Sequence, residues 1–476
     1  MPPLQEVELN FGVQSRKGRH GFDGSQRFLN AYAEDLGESG KKQFIIYAAD
    51  GLRPWITLPT GPIREMLPTS AGLYVVAGDT AYRIAADKTV TTIGQIASST
   101  GPCYMRRNRR EVTQVGLVAI DRYYLIDDTT ITEVADPDLV SPSTLEFVDG
   151  YFVFSTSGAN AGKFQTSALD DGNAIAALDF ATAESDPDEL VRVFRQRGEL
   201  WLLGETSIEV WSQSGNVDFP FIRLPGVSIE IGCLAPRSVA AIDTRLLWVA
   251  NDETVRLADG YKPEVVSHAD VSASISKETD KAAISAAVYT SLGHQFYAIS
   301  GSNFTWVYDL TTGLWHERES LNKTRWRVDT TARFKQTNLA GDFETGDIYE
   351  LDPDYGFEGA STPIKFLLRS PVIHKFPSRV QYGRMDFDLV PGVGVTDGGS
   401  AETDPKAVLT YSDDGGHSWS NERLLTIGRR GQTHRKMIAR KLGQSRGAGR
   451  IVEISMTSGV ARSLMGSKAF IRPVRP

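Results

Sequence analysis

The chain has 476 residues, 41% hydrophobic and 23% charged, the balance of a folded globular protein with length for two or more cores rather than a disordered one. Two cysteines, Cys103 and Cys233, exclude a disulfide framework and a CxxC metal site, and no apolar run nears the ~20 residues of a membrane-spanning helix. The net charge of −8 argues against a simple nucleic-acid binder, yet residues 421–476 hold 13 Lys/Arg against Glu422 and Glu453, a balance of +11 that leaves −19 on residues 1–420.

Residues 1–43 are polar, with little to bury, and are expected to form an irregular arm. They lack the basic start and apolar stretch of a secretion signal, which predicts folding in a reducing cytosol. Residues 44–58 have strand character around an Ala-Asp-Gly turn. From Arg64 to Leu351 one pattern recurs: an apolar run, a polar tight turn, and a second run ending at or near an aromatic. Its clearest copies are 72–83, 199–211, 245–257 and 294–308, with weaker ones at 115–126 and 145–156 and a remnant at 339–351. Each has the signature of a β-hairpin, and their first strands begin about 30 to 55 residues apart, a period shared by propeller blades. The prediction is an all-β fold: a β-propeller of six or seven blades over 44–354, its ends clasped by the early strand, and a C-terminal β-sandwich over 355–476. Within the propeller, 158–189 is expected to be a long excursion from a blade, and 269–287 a short helix between blades. Sandwich strands are expected at 364–368, 384–389, 407–411, 450–456 and 468–472, with an exposed tip at 390–404.

The sharpest local motif is Ser412-Asp413-Asp414-Gly415-Gly416-His417-Ser418-Trp419. It resembles the Asp-box of sialidases and related propellers, with Ser412, Asp414, Gly416 and Trp419 in the motif positions. Its logic is structural: the Asp side chain bonds turn amides, Gly permits positive φ, and the indole covers the apolar base. A glycoside hydrolase needs a carboxylate pair, or a Tyr with an acidic partner and an arginine cluster, in one pocket; no sequence motif isolates such a set. No P-loop, nucleophile elbow, HExxH or EF-hand occurs, and the seven histidines lack metal-ligand spacing. No catalytic residue, cofactor or metal is therefore assigned.

Two basic clusters are the candidate interfaces. Arg106, Arg107, Arg109 and Arg110 are expected on a surface loop between blades. Arg429, Arg430, Arg435, Lys436, Arg440 and Lys441, followed by Arg446 and Arg450, form the larger group. Guanidinium groups suit bidentate contact with carboxylates or phosphates, and without interleaved aromatics a single-strand stacking groove is not expected.

Four stretches in order resemble the packaged DNA stabilisation protein, or tail hub (nozzle), family of short-tailed bacteriophages. Arg27-Phe28-Leu29-Asn30-Ala31-Tyr32 leads to Asp50-Gly51-Leu52, similar to the family's opening. Gly204 to Trp211 resembles its Gly-x-x-Ser/Thr-Ile-Glu-x-aromatic hairpin. Ser412 to Ser420 resembles the turn of its sandwich, and Arg440 to Arg446 its Arg-x-x-Gly-x-x-Arg segment. The resemblance implies a non-enzymatic virion protein, hexameric, assembled in the host cytoplasm, that attaches below the portal–adaptor connector. It also implies retention of packaged DNA, an ejection channel passing DNA without sequence-specific binding, anchoring of spikes, fibres or a needle, and no membrane insertion. Two alternatives stay open: a carbohydrate-active propeller enzyme of a phage tail, sialidase-like or a depolymerase, and a DNA-contacting protein using its basic end on phosphates.

Overall fold

The computed structural model describes residues 3–39, 42–111, 113–182, 188–216, 219–445 and 447–474. Seven four-stranded antiparallel blades succeed one another around a ring. Blade one runs from Ile63–Pro68 to Val90–Gln95, blade two from Cys103–Arg107 to Thr130–Glu133, and blade three from Pro142–Val148 to Asp171–Thr182. Blade four spans Leu190–Gln196 to Phe221–Ile229, blade five Ala240–Ile242 to Lys262–Val265, and blade six Ser285–Ser291 to Leu314–Glu317. Blade seven has three strands of its own, Val328–Phe334, Thr337–Asp342 and Asp347–Asp352. Its fourth comes from the front of the chain: Gly51–Thr57 pairs antiparallel with Asp347–Asp352, setting Leu52 opposite Leu351. The early strand thus clasps the ring as its position suggested.

Each blade is covered on both faces by its neighbours, which is why runs such as Leu73–Ala77 and Gln114–Ala119 are buried at every position instead of alternating. Apolar side chains fill the wedge between each adjacent pair. Tyr74 and Val76 of blade one meet Met105 and Leu117 of blade two, and Phe334 and Leu339 of blade seven meet Leu73 and Val75 of blade one. Hairpin tips such as Asp149-Gly150, with φ of 50° and 100°, have the two consecutive left-handed residues that match the twist of the strands they join.

The sandwich packs two sheets over a core that includes Phe28, Phe366, Met385, Phe387, Leu409 and Ile454. Its outer sheet has the order Ala31–Asp35, Phe44–Ala48, Ser463–Val474, Arg379–Leu389, Met437–Arg440, with Gln5–Glu8 also paired to Ser463–Val474. Its inner sheet, Arg27–Leu29, Phe366–Arg369, Ile451–Met456, Lys406–Ser412 and Arg423–Thr426, is continuous with blade six, because Leu29 pairs in parallel with Glu317.

Three expectations are corrected. The arm expected to be irregular at 1–43 instead supplies three strands to the sandwich: Gln5–Glu8 and Arg27–Leu29 pair with strands far along the chain, Ala31–Asp35 pairs with Phe44–Ala48, and Leu9 and Phe28 bury in the sandwich core. The excursion at 158–189 is regular over Lys163–Ala168 and Asp171–Thr182, the outer strands of blade three; 183–187 lie outside the described residues. Arg106 and Arg107 belong to the inner strand of blade two, not to a surface loop. The expected helix is present as Ala269–Ser276, capped by His268, whose Nδ1 accepts the Asp270 amide. The tip at 390–404 carries one helical turn, Ser400–Thr403.

Candidate functional site

The innermost strands, one face of which looks inward, and the turns that lead into them at Arg237 and Arg325 bring charged side chains to the propeller axis. Arg106 Nε donates to Glu146 Oε1 at 2.6 Å and its Nη1 lies 3.9 Å from Glu65 Oε1, tying blades one, two and three. Arg237 and Arg325 flank Asp329, at 2.6 and 2.8 Å, and Ser285 Oγ donates to the same carboxylate, tying blades five, six and seven. Burial alone would raise the Asp329 pKa, but Arg237 and Arg325 override it and hold the group well below the usual carboxylate range. Arg192 of blade four lies 4.2 Å over the Tyr104 ring and donates to the Pro236 carbonyl at 3.0 Å.

A tyrosine, arginines and carboxylates therefore do converge, the combination a sialidase-like enzyme needs. Tyr104 is only 3% exposed and Arg192 only 5%, with Arg192 covering the ring, and the carboxylates of Glu146 and Asp329 are already held by arginine. Each of these groups contacts another blade. Sequence reading missed it; the one available signal was a charged residue two places from another inward-facing one on a first strand, as in Tyr104 and Arg106.

The Asp-box-like turn is built as its residue types require. Ser412 Oγ donates to Asp414 Oδ1 at 2.7 Å and accepts the Gly416 amide at 2.9 Å, Asp414 Oδ1 accepts the Ser418 amide at 2.9 Å, and Gly416 has φ of 91°. These bonds to Ser418 and Ser412 hold the Asp414 pKa down. Trp419 is half-buried, with the Arg369 guanidinium 4.8 Å above its ring. The neighbouring Asp413 has a separate role: both its oxygens take nitrogens of Arg450 at 2.7 Å. Arg450 is 1% exposed, between Tyr411 and Tyr382, so it leaves the basic interface cluster.

The other members of that cluster are on the surface. Residues 429–436 are exposed throughout, as are Arg440 and Lys441, and among the described residues none of Arg429, Arg430, Arg435, Lys436, Arg440 and Lys441 forms a side-chain ion pair. Arg446 lies outside the described residues. Arg435 and Lys436 line a groove of about 620 Å³ with Lys42, Asp386, Ile438 and Lys468. The first cluster divides: Arg106 is committed to the hub and Arg109 pairs with Asp170 at 3.1 Å, whereas Arg107 is exposed and Arg110 lies 3.6 Å from Asp171. Among the described residues no group of three or more His, Cys, Asp or Glu is placed to hold a metal ion, and no helix is long and apolar enough to cross a membrane.

The sequence profile of the Bacteriophage P22 Gp10 β-propeller matches residues 57–356, and that of the Bacteriophage P22 Gp10 β-sandwich matches residues 365–466. The chain belongs to the Bacteriophage P22 Gp10 family. Gp10-family membership makes it a structural phage protein of the tail hub and stabilisation type, a component of the virion. Among curated proteins none matches. Similar solved structures include virginiamycin B lyase from Staphylococcus aureus, 12% identical, covering 62% of this chain and 97% of that one at a TM-score of 0.44. A streptogramin B lyase is 10% identical, covering 62% and 95% at 0.43, and the Dos1 propeller 9% identical, covering 76% and 97% at 0.39. Within the Gp10-family hairpin from Gly204 to Trp211, Asp188 accepts the amides of Glu205, Thr206 and Ser207 at 2.7–2.9 Å, and buried Glu209 accepts the Trp211 indole N–H at 2.9 Å.

Proposed function

We propose that this protein is the hub of a short phage tail: a hexameric ring below the portal–adaptor connector that helps retain packaged DNA, lines the ejection channel and anchors spikes, fibres or a needle. Assembly takes place in the host cytoplasm, and no catalytic step is involved. The observation that carries the reading is the unbroken sheet from blade six into the sandwich, which makes propeller and sandwich one stiff block able to bear load between virion parts. The ion pairs that link blades around the propeller axis support it, because they brace the hub against distortion. The unpaired cations at 429–441 are its adhesive, offered to an acidic surface of a neighbour or of the connector, with Arg107 and Arg110 on the propeller as a second contact.

Reversing charge at Arg435, Lys436 and Arg440 together tests this. All three are exposed, so the monomer is expected to fold normally while ring assembly on purified portal–adaptor complexes weakens. Assembly at the unsubstituted level would remove the basic end from the interface. The convergence of Tyr104 with arginines favours one other reading, a glycan-cleaving propeller. Release of sugar from host surface polysaccharide by the purified protein would establish it.

A further inference from the structure

The two edges of the sandwich's outer sheet carry opposite charge, and among the described residues Glu34, Asp35, Arg435, Lys436 and Arg440 form no side-chain ion pair. At one edge, strand Ala31–Asp35 ends in Glu34 and Asp35, which with Phe44 form one wall of a cleft of about 410 Å³. The other wall belongs to blade six and presents Leu292 and Leu314. His294 also lines the cleft, its Nδ1 2.7 Å from Asp309 Oδ2, and the hydrogen bond to Asp309 holds its pKa above the ordinary value. The carboxylates lining the cleft are those of Glu34 and Asp35.

Leu292 marks the cleft as more than a surface crevice. It occupies a two-residue turn with φ of 48°, where glycine, asparagine or aspartate is at ease and a leucine is strained, and it is 71% exposed. Ile120, at φ of 44° and 51% exposed in a two-residue turn of blade two, has the same character, so it is the placement of Leu292 beside Glu34 and Asp35 that singles it out.

At the opposite edge, strand Met437–Arg440 follows the exposed segment 429–436, and the strand entering that segment shows Leu424 at 61% exposure. Three strands separate the two edges, which places them roughly 19 Å apart at the usual inter-strand spacing. No residue lines both the cleft and the groove of Arg435 and Lys436. We propose that the cleft of Glu34, Asp35 and Leu292 receives the basic segment 429–436 of a second copy of this chain. The contact is head-to-tail, since donor and acceptor are different patches, and repetition of such a contact builds a ring when its rotation closes. Nucleic acid is disfavoured as the occupant, because phosphates are repelled by the two carboxylates. The inference rests on the ring assembly proposed above and adds the acceptor.

The test compares the unsubstituted protein with E34K/D35K, R435E/K436E, the combination of all four changes, and L292G, each imaged on purified portal–adaptor complexes. Each double variant is expected to lower ring occupancy by about tenfold, and the four-fold variant to restore it, because reversing both patches recreates the attraction. L292G is expected to keep or raise the melting temperature, since glycine suits the turn, while lowering occupancy. Normal rings from E34K/D35K, or a four-fold variant no better than either double, overturn the acceptor while leaving the ring intact. Failure of the unsubstituted protein to form any ring overturns the assembly reading and the acceptor together.

Discussion

Leu29 and Glu317 sit side by side as parallel strand partners, and through that pairing the sandwich becomes an extension of blade six. Around it the side chains lock: Arg27 reaches both Glu317 and Glu319, and Lys17 Nζ lies 2.8 Å from Glu317. Burial would raise the Glu317 pKa, yet Arg27 and Lys17 hold it below the usual range.

Replacing Arg27 by Met therefore leaves a buried carboxylate with one half-exposed lysine. The expected loss is about 3 kcal/mol, seen as a lower urea midpoint, and the sandwich should become protease-sensitive before the propeller does. A variant as stable as the parent would show that the shared sheet alone couples the two parts.

At the hub, Asp329→Asn strips Arg237 and Arg325 of their counter-charge and should cost about 3 kcal/mol near neutral pH. The Asp329 pKa is depressed, so its contribution is present above the ordinary carboxylate value of about 4 and is lost as pH falls through and below it. Parent and variant should accordingly converge in acid, measured as melting temperature against pH. A gap independent of pH would assign the effect to packing.

Repetition and register explain what the sequence disclosed. The hairpins at 72–83, 199–211, 245–257 and 294–308 each contain the middle pair of strands of a blade, and the first strand of each pair is buried along nearly its whole length. Inner and outer strands were harder to see: Ala240–Ile242 has three residues, and Lys262–Val265 is largely exposed. The strands Gln5–Glu8 and Arg27–Leu29 were hidden because their antiparallel partners lie more than 300 residues away, and no local pattern encodes that pairing; Ala31–Asp35 pairs locally with Phe44–Ala48 and its hairpin was missed. The Asp-box-like turn was legible because its bonds are local. Buried arginines were not: Arg64, 4% exposed, gives its guanidinium to the carbonyls of Gly78, Ser98, Thr100 and Gly101, and nothing in its neighbourhood distinguishes it from a surface residue.

Arg450 separates brace from interface within the basic end. Arg450→Lys gives up the bidentate contact with Asp413, the bond to the Leu442 carbonyl and the stacking between Tyr411 and Tyr382. The expected loss is about 2 to 3 kcal/mol in the sandwich. Arg435→Ala, on the exposed segment, should stay within about 0.5 kcal/mol of the parent. Equal effects of the two changes on chemical denaturation would contradict the division drawn here.

Whether the block works as a load-bearing ring subunit is decided most directly by electron microscopy of the purified protein added to portal–adaptor complexes. The account predicts a closed ring of six copies, each with its sandwich edge against the next copy's blade six, around an open lumen. Monomers scattered on the connector, or particles that leave it bare, would contradict it.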